Sequence, residues 1–105
     1  MWKGERTMLD LTAREVEEKL KKQETLSIID VREDEELLTG KIPGAVHIPL
    51  GILMSSLHQL DKEKEYILVC HSGARSGMAK QMLELEGFSA ANMIDGMVEW
   101  NGLIV

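Results

Sequence analysis

The most informative residues of this chain are Tyr66-Ile-Leu-Val-Cys-His-Ser-Gly-Ala-Arg-Ser76. Four apolar or aromatic residues lead into Cys70, a polar loop with Gly73 follows, and apolar residues then recur at helical spacing. The pattern predicts a buried strand over 66–70 and a helix over 76–86, so that the cysteine lies at the carboxyl end of the strand. In open α/β sheets, this edge is where ligands bind.

Helical and strand patterns alternate along the rest of the chain. Thr12 and Glu15 form a capping-box pattern at the start of a helix over 13–23, and a β-branched run predicts a buried strand over 26–31. The remaining predicted elements are a short helix over 33–38, a strand over 45–48, a helix over 50–60, a strand over 91–94 and a terminal helical turn over 96–100. This order predicts an α/β fold with a mostly parallel central sheet and helices on both faces.

The chain of 105 residues is expected to form a single domain over 1–105, in which 1–8 are an N-terminal extension. The formal net charge of -6 opposes binding to nucleic-acid phosphates or anionic lipid. Residues 42–60 carry no formal charge and approach the length of a membrane span, but prolines, glycines and histidines interrupt them. We therefore expect neither a nucleic-acid partner nor a membrane.

Cysteine usage and the first residues bear on the compartment. Cys70 is the only cysteine of the sequence and cannot form an intramolecular disulfide. No apolar stretch that resembles a signal peptide follows the first residues, so the expected location is the cytoplasm.

The residues around Cys70 favour a reactive thiolate over an inert thiol. A loop that returns from the strand end to a helix start can turn its N–H groups toward the sulfur, and Gly73 supplies the conformational freedom for this turn. These N–H groups, the helix N-terminus and the cation of Arg75 all predict a pKa below the usual range of a cysteine. A buried, inert core cysteine is the common alternative, and the polar residues directly after the sulfur argue against it.

The chain resembles the rhodanese-like sulfurtransferase family over nearly all of its length. The segments that resemble the family's first signature are Asp30-Val-Arg32, Glu36, Gly40-Lys-Ile-Pro-Gly-Ala45 and His47-Ile-Pro49. Cys70-His-Ser-Gly-Ala-Arg75 looks like the family's active-site loop, and Gly87-Phe88 with residues 95–100 looks like its closing pattern. Asp30 and Arg32 precede a different loop from Cys70, so we expect them to pair with each other near their strand end.

The resemblance implies that Cys70 is a catalytic nucleophile. It would take a sulfane sulfur from a donor such as thiosulfate or a protein persulfide, and pass it as a cysteine persulfide to a thiophilic acceptor. The residues implied to cradle the persulfide or bind the substrate are His71, Ser72, Gly73, Ala74, Arg75 and Ser76. The implied partners are a small sulfur donor and a thiol acceptor or a protein that carries sulfur, and neither a metal nor an organic cofactor is implied.

His71 departs from the family pattern, in which arginine is frequent at this position of the loop. Arg75, with help from His71, is implied to orient an anionic donor. Imidazole is only partly charged near pH 7 and makes no bidentate contact to an anion, so we expect a weaker hold on the donor.

Two other functions are compatible with the same fold. One is a regulatory, docking or redox-sensing module that does not transfer sulfur. The other is an arsenate reductase or a phosphatase. In the phosphatase relatives, the spacing in the cysteine loop is Cys-x5-Arg. Here the spacing from Cys70 to Arg75 is Cys-x4-Arg, which suits a single added sulfur better than a tetrahedral oxyanion.

Overall fold

Four parallel strands form the centre of the protein. The structure, a computed structural model, describes residues 8–105, so the predicted N-terminal extension lies almost wholly outside the described residues. The strands are β1 (Ser27–Asp30), β2 (Val46–His47), β3 (Glu65–Val69) and β4 (Ser89–Asn92), in the spatial order β2-β1-β3-β4. All three strand pairs are parallel, which confirms the predicted sheet.

Helices cover both faces of this sheet, as predicted. One face carries α1 (Ala13–Lys21) and the 3-10 helix Met97–Glu99, and the other carries α2 (Leu50–Leu53), the 3-10 helix Met54–Gln59 and α3 (Ala74–Leu85). A further 3-10 helix, Asp34–Thr39, follows β1. Within residues 8–105, no helix is both long and apolar enough to cross a membrane.

The strands supply two core layers because successive side chains of a strand point to opposite faces. Ile28 and Ile67 pack in the layer under α1, whereas Ile29 and Leu68 pack in the layer under α3. Burial on both faces explains the apolar runs within β1 and β3. Cys70 continues the α3 layer beyond the end of β3, so its side chain points toward that helix.

The start of α1 has the predicted capping box. Thr12 Oγ1 accepts the N–H of Glu15 at 3.1 Å, and Glu15 Oε1 accepts the N–H of Thr12 at 2.8 Å. Each side chain satisfies a backbone donor that the first turn of a helix leaves unpaired.

The helix predicted over 50–60 is α-helical only in α2 and continues as a 3-10 helix. The hydroxyls of Ser55 and Ser56 both donate to the carbonyl oxygen of Ile52, at 2.9 and 2.8 Å. These side chains compete for an acceptor of the α-helical ladder, which favours the tighter helix. The helix predicted over 33–38 is also a 3-10 helix and ends before Gly40, as expected.

Strand β4 (Ser89–Asn92) both begins and ends two residues earlier than the strand predicted over 91–94. Met93 forms a parallel bridge with Leu11, and the N–H of Ile94 donates to the Leu11 carbonyl at 2.9 Å. The chain after β4 therefore pairs with the N-terminal segment before it turns through Gly96. A pattern confined to neighbouring residues does not reveal this long-range pairing.

Candidate active site

Cys70 lies directly after β3, at the carboxyl edge of the sheet, and its side chain is fully buried. Gly73 has a φ of 98° and turns the chain into α3, which begins at Ala74, two residues before its predicted start. Glycine adopts this left-handed conformation without steric cost. Only residues 71–73 separate the sulfur from the helix, so the first turn of α3 comes back toward Cys70.

Three hydrogen-bond donors surround the Cys70 sulfur. Sγ accepts the N–H of Gly73 at 3.1 Å and the N–H of Ser76 at 3.3 Å, and the Ser76 hydroxyl lies 3.2 Å away. The N–H of Ser76 belongs to the first turn of α3, where N–H groups have no acceptor within the helix. The loop and the helix start therefore both turn donors toward the sulfur.

The pKa of Cys70 lies below its usual value. Burial by itself raises this pKa, because a charged sulfur loses its hydration. The Ser76 hydroxyl and the N–H groups of Ser76, Gly73 and Ser72 outweigh burial, since each of them binds a thiolate better than a thiol. The predicted direction of the shift is confirmed.

The other side chains of the loop differ in their exposure. His71, Ser72 and Ala74 are exposed, whereas Arg75 is half-buried and Ser76 is fully buried. His71 therefore lies on the surface of the loop, where its imidazole can meet a ligand that approaches from solvent. Of the predicted cradle, it is the backbone of the loop and the Ser76 side chain that surround the sulfur in this structure.

The segment after β4 supports the loop from the other side. Met97 donates its N–H to the carbonyl of Cys70 at 2.8 Å, and Val98 donates its N–H to the carbonyl of His71 at 3.0 Å. Gly96 permits this approach, since a Cβ there would overlap the carbonyl group of His71. With both carbonyls held by this segment, the loop keeps its N–H groups free to face the sulfur.

Arg75 is bound to a carboxylate of the protein itself. Its Nη1 and Nη2 donate to Oε1 and Oε2 of Glu36 at 2.7 and 2.8 Å, in a bidentate pair. The hydrogen bonds from Arg75 lower the pKa of Glu36 to about 2, and the same pair raises the pKa of Arg75. An anionic donor bound by Arg75 would therefore share this guanidinium with Glu36.

Asp30 and Arg32 form the pair that the sequence predicts. Both side chains are buried, and Arg32 Nη2 lies 2.8 Å from Asp30 Oδ2. Arg32 also donates to the carbonyl of Glu36 at 3.3 Å and to the carbonyl of Gly40 at 2.9 Å. The pair thereby anchors the 3-10 helix that carries Glu36, and through Glu36 it supports Arg75.

Sequence analysis missed Asn92 and assigned no role to Glu36. Asn92, the last residue of β4, accepts the Ser76 O–H on Oδ1 at 2.6 Å and donates from Nδ2 to the Gly73 carbonyl at 3.0 Å. Its position offers a signal in retrospect, because a polar residue at the carboxyl end of a buried strand lies at the ligand-binding edge. Glu36 stands within the resemblance to the family, but its partner is 39 residues away in sequence.

The fold and the site together define a small α/β domain with a single buried cysteine, which is held by the N–H groups of a loop and of the following helix. The family model described as Rhodanese-like domain matches residues 12–103. The chain belongs to the rhodanese-like domain family.

Two curated relatives and one solved structure illustrate the similarity. "Putative sulfurtransferase YtwF" of Bacillus subtilis is 42% identical over 93 residues, which are 89% of this chain and 90% of the relative. "Putative sulfur carrier protein YrkF" of the same organism is 38% identical over 94 residues, and the match spans 89% of this chain but only 51% of that protein. A rhodanese-like domain protein from Staphylococcus aureus superposes with a TM-score of 0.85 at 36% identity, covering 90% of this chain and 93% of the other.

Proposed function

We propose that the protein is a rhodanese-type sulfurtransferase in which Cys70 carries the sulfur as a persulfide. The observation that carries this proposal is the Cys70 sulfur itself, which has three donors between 3.1 and 3.3 Å at the carboxyl edge of a parallel sheet. These donors favour the thiolate, the form of cysteine that attacks sulfur. The relative named as a sulfurtransferase supports the same class of reaction.

With thiosulfate as donor, the reaction has two steps. The Cys70 thiolate attacks the outer sulfur of thiosulfate, a sulfur–sulfur bond forms to Sγ, and sulfite leaves with the electron pair of the bond that breaks. The persulfide anion then gives its outer sulfur to an acceptor such as cyanide, which leaves as thiocyanate and restores the thiolate. The N–H groups that hold the thiolate are then available to the outer sulfur, which carries the charge.

The acceptor in this scheme comes from outside the chain. Cys70 is the only cysteine of the sequence, so no second thiol of the chain can resolve the persulfide as a disulfide. A small thiol or a protein that carries sulfur would serve, and the relative named as a sulfur carrier supports the second choice. We also propose that the reaction takes place in the cytoplasm and uses neither a metal nor an organic cofactor.

Arg75 and His71 are the residues proposed to receive an anionic donor. Glu36 occupies two of the five N–H groups of Arg75, and three remain for a ligand. His71 is exposed on the same loop, and its ring nitrogens can form hydrogen bonds with a ligand that approaches from solvent.

Intact-mass measurement of the purified protein tests the proposal. Thiosulfate should add the mass of one sulfur atom, and cyanide should remove it with release of thiocyanate. Cys70→Ala should show no gain, while Ser55→Ala, a matched control at an exposed position on another element, should behave like the natural protein.

A missing adduct separates the remaining alternatives. If a small persulfide donor also leaves the mass unchanged, sulfur transfer is refuted. An alkylation pKa of Cys70 in the usual range would then favour a docking module, and a low pKa with reversible oxidation would favour a redox sensor. Turnover of an aryl phosphate that requires Cys70 would instead indicate phosphatase chemistry.

A further inference from the structure

The Ser76 hydroxyl has two acceptors and one proton. Its oxygen lies 2.6 Å from Asn92 Oδ1 and 3.2 Å from the Cys70 sulfur. A hydroxyl donates one hydrogen, so it can fully satisfy only one of these acceptors at a time. The Cys70 sulfur and Asn92 therefore compete for the same donor.

The side chain of Asn92 cannot turn away from this competition. Its Nδ2 donates to the Gly73 carbonyl at 3.0 Å, which requires Oδ1 to face Ser76, since the reverse orientation would set two oxygens against each other. The backbone is held as well, because the N–H of Asn92 donates to Asp10 Oδ1 at 2.9 Å and its carbonyl accepts the N–H of Leu11 at 3.0 Å. Asn92 is buried, so water cannot readily replace a donor that it loses.

We propose that Asn92 is a positioning residue, which draws the Ser76 proton toward itself and so limits how strongly Ser76 holds the Cys70 thiolate. When the sulfur is a thiol, Ser76 donates to Asn92. When the sulfur is a thiolate, Ser76 can donate to it only by weakening the short bond to Asn92 and leaving a buried carbonyl oxygen short of a donor. The role of Cys70 as nucleophile rests on the proposed function.

This arrangement has a chemical consequence for sulfur transfer. A thiolate that is held too firmly is a weak nucleophile, because nucleophilicity falls as the pKa falls. Once Cys70 carries a persulfide, the charge resides on the outer sulfur, and the Ser76 proton can return to Asn92. Asn92 therefore favours the loaded state and keeps the free thiolate reactive.

A double-mutant cycle on the Cys70 pKa tests the proposal. The pKa is measured from the pH dependence of alkylation by iodoacetamide in the natural protein, Asn92→Ala, Ser76→Ala and the double variant. Asn92→Ala should lower the pKa by about half a unit, the equivalent of a weak hydrogen bond, because Ser76 then donates only to the sulfur. Ser76→Ala should raise the pKa, and adding Asn92→Ala to it should change nothing further.

Neighbouring charges are constant across this cycle. On the elements that pack around the loop, the titratable and charged groups are the Arg75–Glu36 pair, the Lys80–Asp10 pair, the Asp95 carboxylate that accepts the Ala13 N–H, Glu33, Glu99 and the His71 imidazole. None of them is substituted, so their contributions cancel in the comparison between the two backgrounds.

Two results would overturn the proposal. If Asn92→Ala shifts the Cys70 pKa equally in the natural protein and in the Ser76→Ala variant, Asn92 acts through the Gly73 carbonyl alone. If Asn92→Ala raises this pKa, Asn92 does not compete with the sulfur for the Ser76 proton. If Asn92→Ala does not fold, Asn92→Leu replaces it, because leucine has the same branched shape without the amide, and it should lower the pKa only when Ser76 is present. Alkylation needs no sulfur donor, so if neither thiosulfate nor a small persulfide donor loads Cys70 while the pKa shows the coupling, the proposed function is refuted and this inference stands.

Discussion

Replacing Glu36 by glutamine should make the protein a better acceptor of sulfur from thiosulfate. In the structure, both Nη groups of Arg75 are bound to the Glu36 carboxylate, so the charge of the one loop arginine is offset before any donor arrives. Glutamine has nearly the same shape and keeps one oxygen for Arg75, but it removes the negative charge. The positive charge of Arg75 is then available to a donor anion.

The size of the effect follows from Coulomb's law. For a donor of charge about −2 that lies about 7 Å from the Glu36 carboxylate, an effective dielectric constant of about 60 gives about 1.6 kcal/mol of repulsion. This dielectric constant lies between about 20 for a protein surface and about 80 for water, and it applies because the Glu36 side chain is 30% exposed and the donor approaches from solvent. Salt at physiological strength, with a Debye length of about 8 Å, reduces the repulsion to about 0.7 kcal/mol, which corresponds to about a threefold higher kcat/KM.

The assay is thiocyanate formation from thiosulfate and cyanide at several salt concentrations. Glu36→Gln should show its gain most strongly at low salt and lose it as salt rises. Glu35→Gln is the matched control, because Glu35 is an exposed acid on the same 3-10 helix and the substitution changes the net charge equally. If kcat/KM for Glu36→Gln is unchanged or lower than for Glu35→Gln while both variants are fully folded at the assay temperature, the electrostatic argument is wrong and Glu36 serves to position Arg75.

Three further predictions concern stability, and the free energy of unfolding, measured in urea or acid, tests each of them. Gly96→Ala should lower the free energy of unfolding by about 1–3 kcal/mol, because Gly96 has a positive φ and a Cβ there would overlap backbone atoms of His71. Gly51→Ala, whose Cβ would meet open space in α2, should change the free energy of unfolding by less than about 0.5 kcal/mol, and equal effects would contradict the close contact between Gly96 and the loop. Arg32→Ala should lower the free energy of unfolding by about 3–5 kcal/mol, because it leaves the buried Asp30 carboxylate without its ion-pair partner. Arg14→Ala, at an exposed pair, should lower it by less than about 0.5 kcal/mol, and a small loss at both sites would show that the buried pair contributes little. The pKa of Glu36 is lowered from 4.5 to about 2, so its contribution to stability is present above pH 4.5 and is lost as the pH falls toward 2. Glu36→Gln should lack this part of the pH dependence, and identical acid-unfolding curves for the variant and the natural protein would exclude a contribution from Glu36.

Local sequence patterns predict most of the fold, because the strands and helices that form it depend mainly on residues a few positions apart. The strand that precedes Cys70 is recognisable from four consecutive apolar or aromatic residues, and such runs occur where a parallel strand is buried on both faces. The capping box at Thr12 is a contact between residues three positions apart, so it too can be read from the sequence. Errors fall where the decision is not local, as at the end of β4, where Met93 and Ile94 pair with Leu11 of the N-terminal segment.

In the candidate site, too, some features can be predicted from neighbouring residues and others depend on distant ones. The position of Cys70 and the direction of its pKa shift follow from a strand, a glycine and a helix start in succession. The partners of Arg75 and Ser76 do not follow, because Glu36 and Asn92 are separated from them by 39 and 16 residues. Contacts over such separations are set by which strands are neighbours in the sheet.

The parallel α/β architecture, the nucleophile candidate and the size of its loop can all be predicted from the amino-acid sequence, because periodicity and turn chemistry act over a few residues. The pairing of Arg75 with a carboxylate, and the position of the Ser76 hydroxyl between Cys70 and Asn92, become visible only in the folded protein. Each hydrogen-bonding group has a limited number of protons to donate. Which acceptor receives a given proton depends on the distances between elements, and those distances exist only after the sheet has formed.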